Sequence, residues 1–296
     1  MMTIQSSGAI KFTDIENEFG IAGSRSLSQY YGLDSGVPSS GQIKFSDFYG
    51  KIINATRTVG DSTNFNVRND FTNSSIVGGL KSASTVYTNN QAVKYYLTTN
   101  GIIGSSDTST TALDTGNFPT GSSIYLTNNN YIVGAGGRGG DNSGGSGSPG
   151  GPALTLRLTT YITNNGTIGG GGGGGGAGGN RSTTSCRQVG CCQQECRSAT
   201  GSGGGGGGGA GSASGAGGGG GNNGGSGSLT TGGSGGSGTR QTNGWASEQG
   251  TSGANGGNLG QNGGSSDGGG GAAGNYIVNS GYATWVATGT RLGGVG

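Results

Sequence analysis

Eight consecutive glycines, Gly169 to Gly176, are the feature that most constrains what this chain can fold into. Glycine loses more conformational entropy on ordering than any other residue, so such a run is either a flexible tether or an unusual ordered structure. The chain has 77 glycines, most of them after residue 133, whereas every lysine lies at or before Lys94. These shifts in composition place a boundary near residue 133.

The glycine-rich part cannot bury an ordinary side-chain core, because only 28% of all residues are hydrophobic. Polyproline-II-type helices have three residues per turn and no internal hydrogen bonds, so their backbone groups can pair with neighbouring helices. The close approach that this pairing needs is open only to glycine on the packed sides. We therefore favour a packed bundle of polyglycine-II helices over a tether, with candidate segments at residues 134–140, 144–151, 166–179, 201–221, 224–238, 253–260 and 263–274.

Composition also argues against several functions. The net charge is +2 and only 9% of residues are charged, so there is no basic surface for nucleic acid. No apolar run approaches the ~18 residues of a membrane span, and the first residues lack the features of a signal peptide. Histidine, the commonest general base and metal ligand, is absent. We therefore expect no enzyme activity, no cofactor, no metal site, no nucleic-acid partner and no membrane span.

The first fifty residues contain an internal repeat, since Ser6–Asp14 ("SSGAIKFTD") returns as Ser39–Asp47 ("SSGQIKFSD"). Each copy predicts a turn, a short strand and the start of a short helix. Gly20, Gly32 and Gly50 stand where such helices need a left-handed residue. A unit this small suits docking onto a larger body. We predict that this N-terminal module, residues 1–51, docks the chain onto another protein through Ile10, Phe12, Ile43, Phe45, Phe48 and Tyr49.

Residues 52–133 are rich in Thr, Val, Ile, Tyr and Phe, which predicts β-strands in "TRTVG", "NFNVRNDF", "TVYTNN", "AVKYYLTT", "SSIYLTNN" and "NYIVG". A pattern of strand, Asn-rich turn and strand begins at Tyr96, Tyr125, Tyr161 and Tyr276. A β-hairpin or a solenoid turn that passes into a glycine segment fits all four copies. The last copy returns the chain to β structure at residues 275–292. The expected domains are residues 1–51, 52–133 and 134–296.

Four cysteines interrupt the glycine tract in the segment "CRQVGCCQQECR". Adjacent Cys191 and Cys192 are poorly placed to ligate one tetrahedral ion, which argues against zinc. Two disulfides are the favoured interpretation, because four cysteines in a loop without a core would staple it. Sequence alone does not choose the pairing, although a bond between the two adjacent cysteines is the least expected. Free thiols remain the alternative. The candidate disulfide cysteines are Cys186, Cys191, Cys192 and Cys196.

Two polar interruptions, at residues 180–200 and 239–252, hold most of the large side chains of the second part. A stapled loop with arginines and amides suits the binding of a polar surface through hydrogen bonds, and the alternative is a solvated loop with no partner. Trp245 indicates either a contact, because rigid aromatics dominate binding hot spots, or a lid over the bundle. The candidate binding residues are Arg181, Arg187, Gln188, Gln193, Gln194, Arg197, Arg240 and Trp245.

The N-terminal segment "SSGAIKFTDIENEFG … VPSSGQIKFSDFYGK" resembles a module at the start of many tailed-bacteriophage virion proteins. The "NNGTIGGGGGGG" segment and the "ATWVATGTRLGGV" ending resemble glycine-rich tail-fibre proteins, and the whole tract is similar to the tip adhesins of T-even-type phages. The resemblance implies a virion tail component, assembled in the host cytoplasm, whose packed polyglycine helices present loops to receptors. The loops at residues 180–200 and 239–252 are then the receptor-contacting ends.

The fold expected is mainly β and irregular, with a small strand and short-helix module, a β-rich middle, and a polyglycine-II bundle that ends in a β segment. The expected function is a non-enzymatic tail-fibre or baseplate tip adhesin. Its expected partners are other tail proteins and a bacterial surface protein or glycan. The sequence leaves open whether the chain forms a homo-oligomer. The alternatives are a purely structural virion spacer without receptor contact and, from another class, an ice-binding protein.

Overall fold

The chain folds mainly into β structure with few helices in the computed structural model, which describes residues 4–20, 26–34, 36–73 and 82–296. Parts of the first two expected domains, at residues 1–3, 21–25, 35 and 74–81, lie outside the described residues. The helices are α1 (Phe12–Phe19), α2 (Val67–Asn73) and α3 (Ala83–Thr88), with 3-10 turns at Leu27–Tyr30, Phe45–Phe48 and Ser280–Tyr282.

The strands, in chain order, are β1 (Ile53–Val59), β2 (Ser62–Thr63), β3 (Phe65–Asn66), β4 (Val93–Thr99), β5 (Ile103–Gly104), β6 (Leu113–Asp114), β7 (Ser123–Asn128), β8 (Tyr131–Val133), β9 (Leu154–Thr155), β10 (Thr160–Asn164), β11 (Thr167–Gly169), β12 (Arg181–Gln188), β13 (Gln194–Gly201), β14 (Arg240–Asn243), β15 (Ala246–Gln249), β16 (Asn275–Val278), β17 (Ala283–Ala287), β18 (Thr290–Leu292) and β19 (Gly294–Val295).

Three five-stranded parallel sheets form a three-sided solenoid of five turns. The first sheet has the order β1-β4-β7-β10-β17, the second β18-β11-β8-β5-β2 and the third β19-β16-β9-β6-β3. Each turn of the chain therefore adds one strand to each sheet. The predicted strand–turn–strand repeat is confirmed for the copies at Tyr96, Tyr125 and Tyr161, each of which passes from the first sheet to the second. The copy at Tyr276 is not equivalent, because it passes from the third sheet, at β16, to the first, at β17. The expected boundary at residue 133 falls inside the third turn, because β10, β11 and β16–β19 belong to the same sheets.

The solenoid core consists of side chains that stack in register from turn to turn. Leu97, Leu126 and Ile162 occupy aligned positions of the first sheet and are fully buried. On the outer face of the same sheet, the rings of Tyr96 and Tyr125 stack at 4.7 Å between centroids, and those of Tyr125 and Tyr161 at 4.8 Å. The repeating tyrosines found in the sequence thus form a ladder across three turns.

Asparagines form a second ladder at the corner between the first and second sheets. Asn128 is fully buried, and its side-chain NH₂ donates to Asn164 Oδ1 at 2.8 Å while its Oδ1 accepts from the Thr99 hydroxyl at 2.9 Å. An exposed ladder runs beside it, since Asn129 donates to Asn100 and Asn165 donates to Asn129, both at 2.9 Å. The Asn-rich turns of the sequence are therefore structural elements of this corner in successive turns of the solenoid, because their side chains form hydrogen bonds with one another.

The glycine tract consists of two insertions at one corner of the solenoid, between the second and third sheets. Residues 134–153 connect β8 to β9, and residues 170–274 connect β11 to β16. Ser212 fixes one end of the tract to the solenoid, because its hydroxyl accepts from Ser105 N–H at 2.7 Å and contacts the Val133 carbonyl oxygen at 3.1 Å. The glycine tract and the solenoid are thus joined by side-chain as well as covalent links.

The segment 169–179 runs through the middle of the tract, and successive N–H groups donate to different neighbours. Gly171, Gly174 and Ala177 donate to residues 145–151, Gly172, Gly175 and Gly178 donate to residues 204–210, and Gly173 and Gly176 donate to residues 261–264. Its carbonyl groups accept from three further segments, residues 134–140, 251–260 and 268–274. Six segments therefore surround this one, and the pairing repeats every three residues.

The strand predicted in "TVYTNN" is wrong, because this segment belongs to α3 and the residues after it. The strand predicted in "NFNVRNDF" is confirmed only at β3, and the segment is helical from Val67 onward, in α2. Asn66 Oδ1 accepts from Asn69 N–H at 2.9 Å, and the Ser82 hydroxyl accepts from Thr85 N–H at 3.3 Å. Both contacts satisfy N–H groups of a first helical turn, which favours a helix despite the β-branched residues. Val67 and Phe71 are fully buried one turn apart, so burial against the solenoid supports the helix.

The N-terminal module covers the first turn of the solenoid. Ile53 N–H donates to the buried Glu18 carboxylate at 3.0 Å, and Gln91 donates to the Asn17 carbonyl at 3.0 Å. In both repeat copies the backbone N–H of a lysine donates to the aspartate three residues later, Lys11 to Asp14 and Lys44 to Asp47. The expected short strands do not form, since residues 8–11 and 41–44 are bends or irregular backbone.

Phe48 was predicted to dock onto another protein, and this prediction is wrong. It is fully buried, and its ring contacts those of Phe19 and Tyr30 at 6.2 and 6.0 Å between centroids. Phe48 therefore holds the module together and presents no surface to a partner. The positive φ values predicted for the helix ends are confirmed at Gly20, Gly32 and Gly50; they lie at 91°, 68° and 63°.

Candidate functional site

Two β-hairpins lie together at the end of the glycine tract that is remote from Ser212. The first pairs β12 with β13 and the second pairs β14 with β15, both antiparallel. The first hairpin starts at Asn180, which donates to the Ser143 hydroxyl in a neighbouring turn at 3.0 Å. The predicted loops 180–200 and 239–252 are thus ordered hairpins rather than irregular loops.

The first hairpin is held by polar cross-strand pairs and not by an apolar face. The hydroxyls of Ser182 and Thr200 are 2.9 Å apart, and those of Thr184 and Ser198 are 2.8 Å apart. Such pairs of Ser and Thr stabilise neighbouring strands without burial. Since the strands have few apolar residues, the hairpin presents a polar surface along most of its length.

A disulfide between Cys186 and Cys196 staples the first hairpin, where the two residues stand directly opposite each other. Cys191 and Cys192 are exposed and have free thiols. The prediction of two disulfides is therefore wrong, because the four cysteines form one disulfide and leave two free thiols. Both free cysteines belong to the tip between β12 and β13, beyond the paired positions, so the register leaves no cysteine opposite either of them.

Trp245 joins the two hairpins. The guanidinium carbons of Arg187 and Arg197 lie 3.9 and 4.7 Å from the centroid of its ring, within the range of cation–π attraction. Its indole N–H donates to the Ser185 carbonyl at 3.0 Å. Trp245 is half-buried. Part of its side chain packs between the hairpins, and the rest is exposed to solvent.

Arg197 also contacts Glu195, with 2.9 Å between Arg197 Nη2 and Glu195 Oε1. The turn of the second hairpin comes close to this arginine, because Gly244 has a φ of +64° and a Cβ there would meet the Arg197 side chain. A residue other than glycine would be strained at this position and would displace Arg197 from the Trp245 ring.

An aspartate anchors the base of the first hairpin. Asp267 accepts from Gly179 N–H at 2.8 Å, from the Thr251 hydroxyl, and from Arg181 Nη2 at 3.2 Å. The hydroxyl of Thr251 and then the Gly179 N–H hold the pKa of Asp267 below its ordinary value. Gly179 and Arg181 lie at the start of the first hairpin and Thr251 follows the second, so Asp267 ties both to its own segment of the glycine tract.

The predicted binding residues fall into four groups. Arg187, Arg197 and Trp245 form one cluster, and Arg181 lies apart at the base of the hairpin. Gln188, Gln193 and Gln194 line a shallow pocket of about 310 Å³ at the tip, together with Cys192. Arg240 is exposed at the start of β14.

Sequence inspection missed Asp267 and Gly244 as determinants of the site. Asp267 stands alone among glycines and serines, with no pattern that marks it. Gly244 and Trp245 form the two-residue turn between β14 and β15, because Asn243 pairs with Ala246. Glycine at the first position of such a turn is a known hairpin signal, and it was present in the sequence at Gly244.

Within the described residues, no helix has the length and apolar character of a membrane span. The same part of the chain holds no group of three or more His, Cys, Asp or Glu side chains arranged to bind a metal ion.

Comparison with known proteins gives a family and a fold. Residues 54–296 match the family described as phage tail fibre adhesin Gp38. The chain is also similar to a solved structure, the crystal structure of the gp37-gp38 adhesin tip complex of the bacteriophage S16 long tail fiber. The similarity has a TM-score of 0.53 and 22% sequence identity, and it covers 98% of this chain and 99% of the other. No match was found among curated proteins.

Proposed function

The chain belongs to the phage tail fibre adhesin Gp38 family, and we propose that its two hairpins form the surface that contacts a bacterial receptor. The family makes the chain an adhesin of the virion tail. The proposal adds the location of the contact. Its main support is the cluster of Arg187, Arg197 and Trp245, which joins both hairpins at the end of the tract remote from the solenoid.

The hairpins have the properties of a preorganised binding surface. A disulfide and a shared tryptophan restrict their motion, so little conformational entropy remains to be lost on binding. Their exposed groups include arginines and glutamine amides, which bind polar surfaces by directed hydrogen bonds. A bacterial surface protein or glycan offers the acceptors that these groups need.

We also propose that the glycine segments are polyglycine-II helices packed as a bundle. The three-residue repeat in the hydrogen bonds of segment 169–179 supports this, because a helix with three residues per turn presents every third N–H to the same neighbour. A second segment, residues 203–211, likewise exchanges hydrogen bonds with six neighbours. A bundle of this kind gives the hairpins a rigid base.

The opposite end of the chain is the proposed attachment point to another tail protein. Of the predicted docking residues, Phe45 has 40% of its surface exposed, and Ile10, Phe12, Ile43 and Tyr49 are partly exposed. The Phe12 and Phe45 rings are 6.2 Å apart and form one apolar patch. The similar S16 structure is a complex of gp37 with gp38, which is consistent with attachment of this chain to a fibre protein.

The test of the receptor surface is binding of the purified full chain to host cells. The variant carries Gln193→Ala and Gln194→Ala, which remove two exposed amides at the tip, and Gln42→Ala in the N-terminal module is the control. We expect the tip variant to bind at least about ten-fold more weakly, equivalent to about 1.4 kcal/mol. The control should bind like the unaltered protein.

A purely structural component without receptor contact is the alternative. In that case the unaltered full chain would not bind host cells above the level of a surface-inert protein. Specific binding that the tip variant retains in full would instead place the receptor surface away from these amides. Neither outcome depends on catalysis, and the proposed function is that of a non-enzymatic adhesin.

A further inference from the structure

Six Asn-Gly pairs occur in the chain, and they differ in what surrounds the glycine. They begin at Asn100, Asn165, Asn223, Asn243, Asn255 and Asn262. In such a pair the backbone nitrogen of the glycine can attack the asparagine side chain, because glycine has no side chain that hinders the approach. Asparagine is therefore a chemically labile residue, and the surroundings of each pair decide whether it reacts.

The three pairs in the glycine tract are held by its hydrogen bonds. Gly224, Gly256 and Gly263 donate their N–H groups to backbone carbonyl oxygens at 3.0, 2.9 and 2.9 Å. The Oδ1 atoms of the preceding asparagines accept backbone N–H groups at 3.3, 2.9 and 2.8 Å. Both reacting groups are thus fixed in these pairs.

The two pairs in the solenoid have oxygen atoms beside the glycine. A Cβ built at Gly101 would meet the backbone and the carboxylate of Asp61, and one built at Gly166 would meet the Asn130 carbonyl oxygen. The two asparagine side chains belong to the exposed ladder at the corner of the solenoid. A carboxylate or a carbonyl oxygen disfavours negative charge on the glycine nitrogen, and hence its deprotonation.

Gly244 lies beside positive charge instead. A Cβ built there would meet Arg197 Nη1 at 3.1 Å and Nε at 3.2 Å. In the part of the chain that the structure describes, the Gly244 N–H has no hydrogen-bond partner. Glu195 pairs with Arg197, and Arg187 leaves the cluster with a net positive charge. A nearby positive charge favours the deprotonated nitrogen, which is the form that attacks.

We propose that Asn243 is a site of deamidation, the modification that converts asparagine into aspartate or isoaspartate. The deprotonated Gly244 nitrogen attacks Asn243 Cγ, so a bond forms between these atoms while the Cγ–Nδ2 bond breaks. Nδ2 leaves as ammonia and takes up a proton, equal to the one lost by Gly244. Water then opens the succinimide ring, at Cγ to give aspartate or at the backbone carbonyl carbon to give isoaspartate. Water is the only co-reactant.

The new carboxylate changes the contacts between the two hairpins. The Asn243 amide donates to the Ser198 carbonyl at 3.1 Å, and a carboxylate has no proton to donate. A negative charge here also competes with Glu195 for Arg197, which contacts the Trp245 ring. This consequence rests on the proposed receptor contact of the hairpins, and it means that deamidation weakens the adhesin of an ageing virion.

The first experiment ages the full chain in mildly alkaline buffer and follows each Asn-Gly pair by peptide mapping and mass spectrometry. We expect conversion of Asn243 to be at least about five-fold faster than that of Asn100 or Asn165, with the three pairs of the tract slowest. The control is the same chain in guanidinium chloride, where all six pairs should react at similar rates because only the fold distinguishes them. Equal or faster conversion at Asn100 or Asn165 in the folded chain, or the same ranking in denaturant, would overturn the proposal.

The second experiment tests the positive charge. Arg197→Gln should slow the conversion of Asn243 at least about three-fold, whereas Arg197→Lys should keep most of the rate. Neither variant should change the rate at Asn165, which is the internal control. An unchanged or faster rate in Arg197→Gln would show that opening of the hairpin governs the reaction, and it would overturn the role given to Arg197.

The third experiment measures the effect on binding to host cells. Asn243→Asp supplies the carboxylate directly and should bind at least about five-fold more weakly than the unaltered chain. The matched control is Asn262→Asp, whose Oδ1 can still accept from Ala273 N–H, and its binding should not change. If Asn243→Asp binds as well as the unaltered chain, the functional consequence fails and the receptor proposal stands. If the unaltered chain does not bind cells, the receptor proposal fails, and the first two experiments alone decide whether Asn243 is modified.

Discussion

Arg187 lies over the indole ring of Trp245, with 3.9 Å between the guanidinium carbon and the ring centroid, although the two residues belong to different hairpins. Arg197 approaches the same ring at 4.7 Å, and the indole N–H donates to the Ser185 carbonyl. Trp245 therefore makes several of the contacts that position the first hairpin relative to the second, beside the hydrogen bond from the Asn243 amide to the Ser198 carbonyl. These contacts make the coupling between the hairpins measurable.

Replacing Trp245 should separate the motions of the two hairpins. Trp245→Ala removes two cation–π contacts of about 0.5–1 kcal/mol each and a hydrogen bond of about 1 kcal/mol, so we expect a local loss of about 2–3 kcal/mol. Trp245→Phe keeps a ring and loses only the N–H, with a loss of about 1 kcal/mol. The measurement is hydrogen exchange of the β12 and β13 amides. Equal exchange in the two variants would show that the arginine contacts add nothing.

Segment 169–179 should tolerate no side chain at Gly174. A Cβ built there would overlap the backbone carbonyl of Arg138, and a backbone group cannot rotate away. We expect Gly174→Ala to cost about 3 kcal/mol or more and to lower Tm by on the order of 10 °C. The control is Gly269→Ala, where the nearest atom, the Ser146 hydroxyl oxygen, lies at 3.5 Å. Similar melting curves for both variants would contradict the close packing of the segment.

The buried asparagine ladder should contribute far more stability than the exposed one beside it. Asn128→Ala leaves the Asn164 amide and the Thr99 hydroxyl without this partner inside the solenoid, so we expect a loss of about 3 kcal/mol. Asn129→Ala at the neighbouring exposed position should cost less than about 1 kcal/mol. Thermal unfolding of both variants tests the difference, and a larger effect at Asn129 would contradict it.

The solenoid turns could be predicted from sequence because each copy repeats the same local pattern. Tyr96, Tyr125 and Tyr161 stand at equivalent positions of successive strands and stack in the structure. Aligning the sequence repeats therefore gives the register in which these strands pair. The three-sided closure could not be predicted, since it depends on strands such as β5 and β6 with only two residues each. Strands this short have no periodicity, and pairing with neighbouring turns defines them.

The site was predicted in composition but not in geometry. The arginines, amides and Trp245 were visible as large residues among glycines, whereas the contact between Arg187 and Trp245 joins distant parts of the chain. The disulfide followed from hairpin register, which brings Cys186 opposite Cys196. Cysteine spacing alone carries no information on register, and the predicted number of disulfides was wrong for that reason.

Acid should weaken the base of the first hairpin through Asp267. Its pKa is lowered in the folded state, first by the Thr251 hydroxyl and then by the Gly179 N–H. A lowered pKa means that the stabilisation is complete above the ordinary aspartate value of about 3.9 and is lost as the pH falls through the folded value. The Gly179 amide signal in an NMR titration should therefore move with a midpoint below about 3.9. In Asp267→Asn this step should be absent, and a midpoint at or above the ordinary value would contradict the anchor.

Reduction of the Cys186–Cys196 disulfide should loosen the hairpin without unfolding the chain. The bond joins residues 10 apart, and closing a loop of this size contributes about 3 kcal/mol, acting here on the hairpin. The backbone hydrogen bonds of segment 169–179 involve neither cysteine, so Tm of the main transition should change by less than about 2 °C. We expect Cys186→Ser with Cys196→Ser to speed hydrogen exchange at Arg187 and Gln194 at least ten-fold, with Cys191→Ser as the matched control. A large fall in Tm would instead mean that the hairpin and the glycine tract unfold as one cooperative unit.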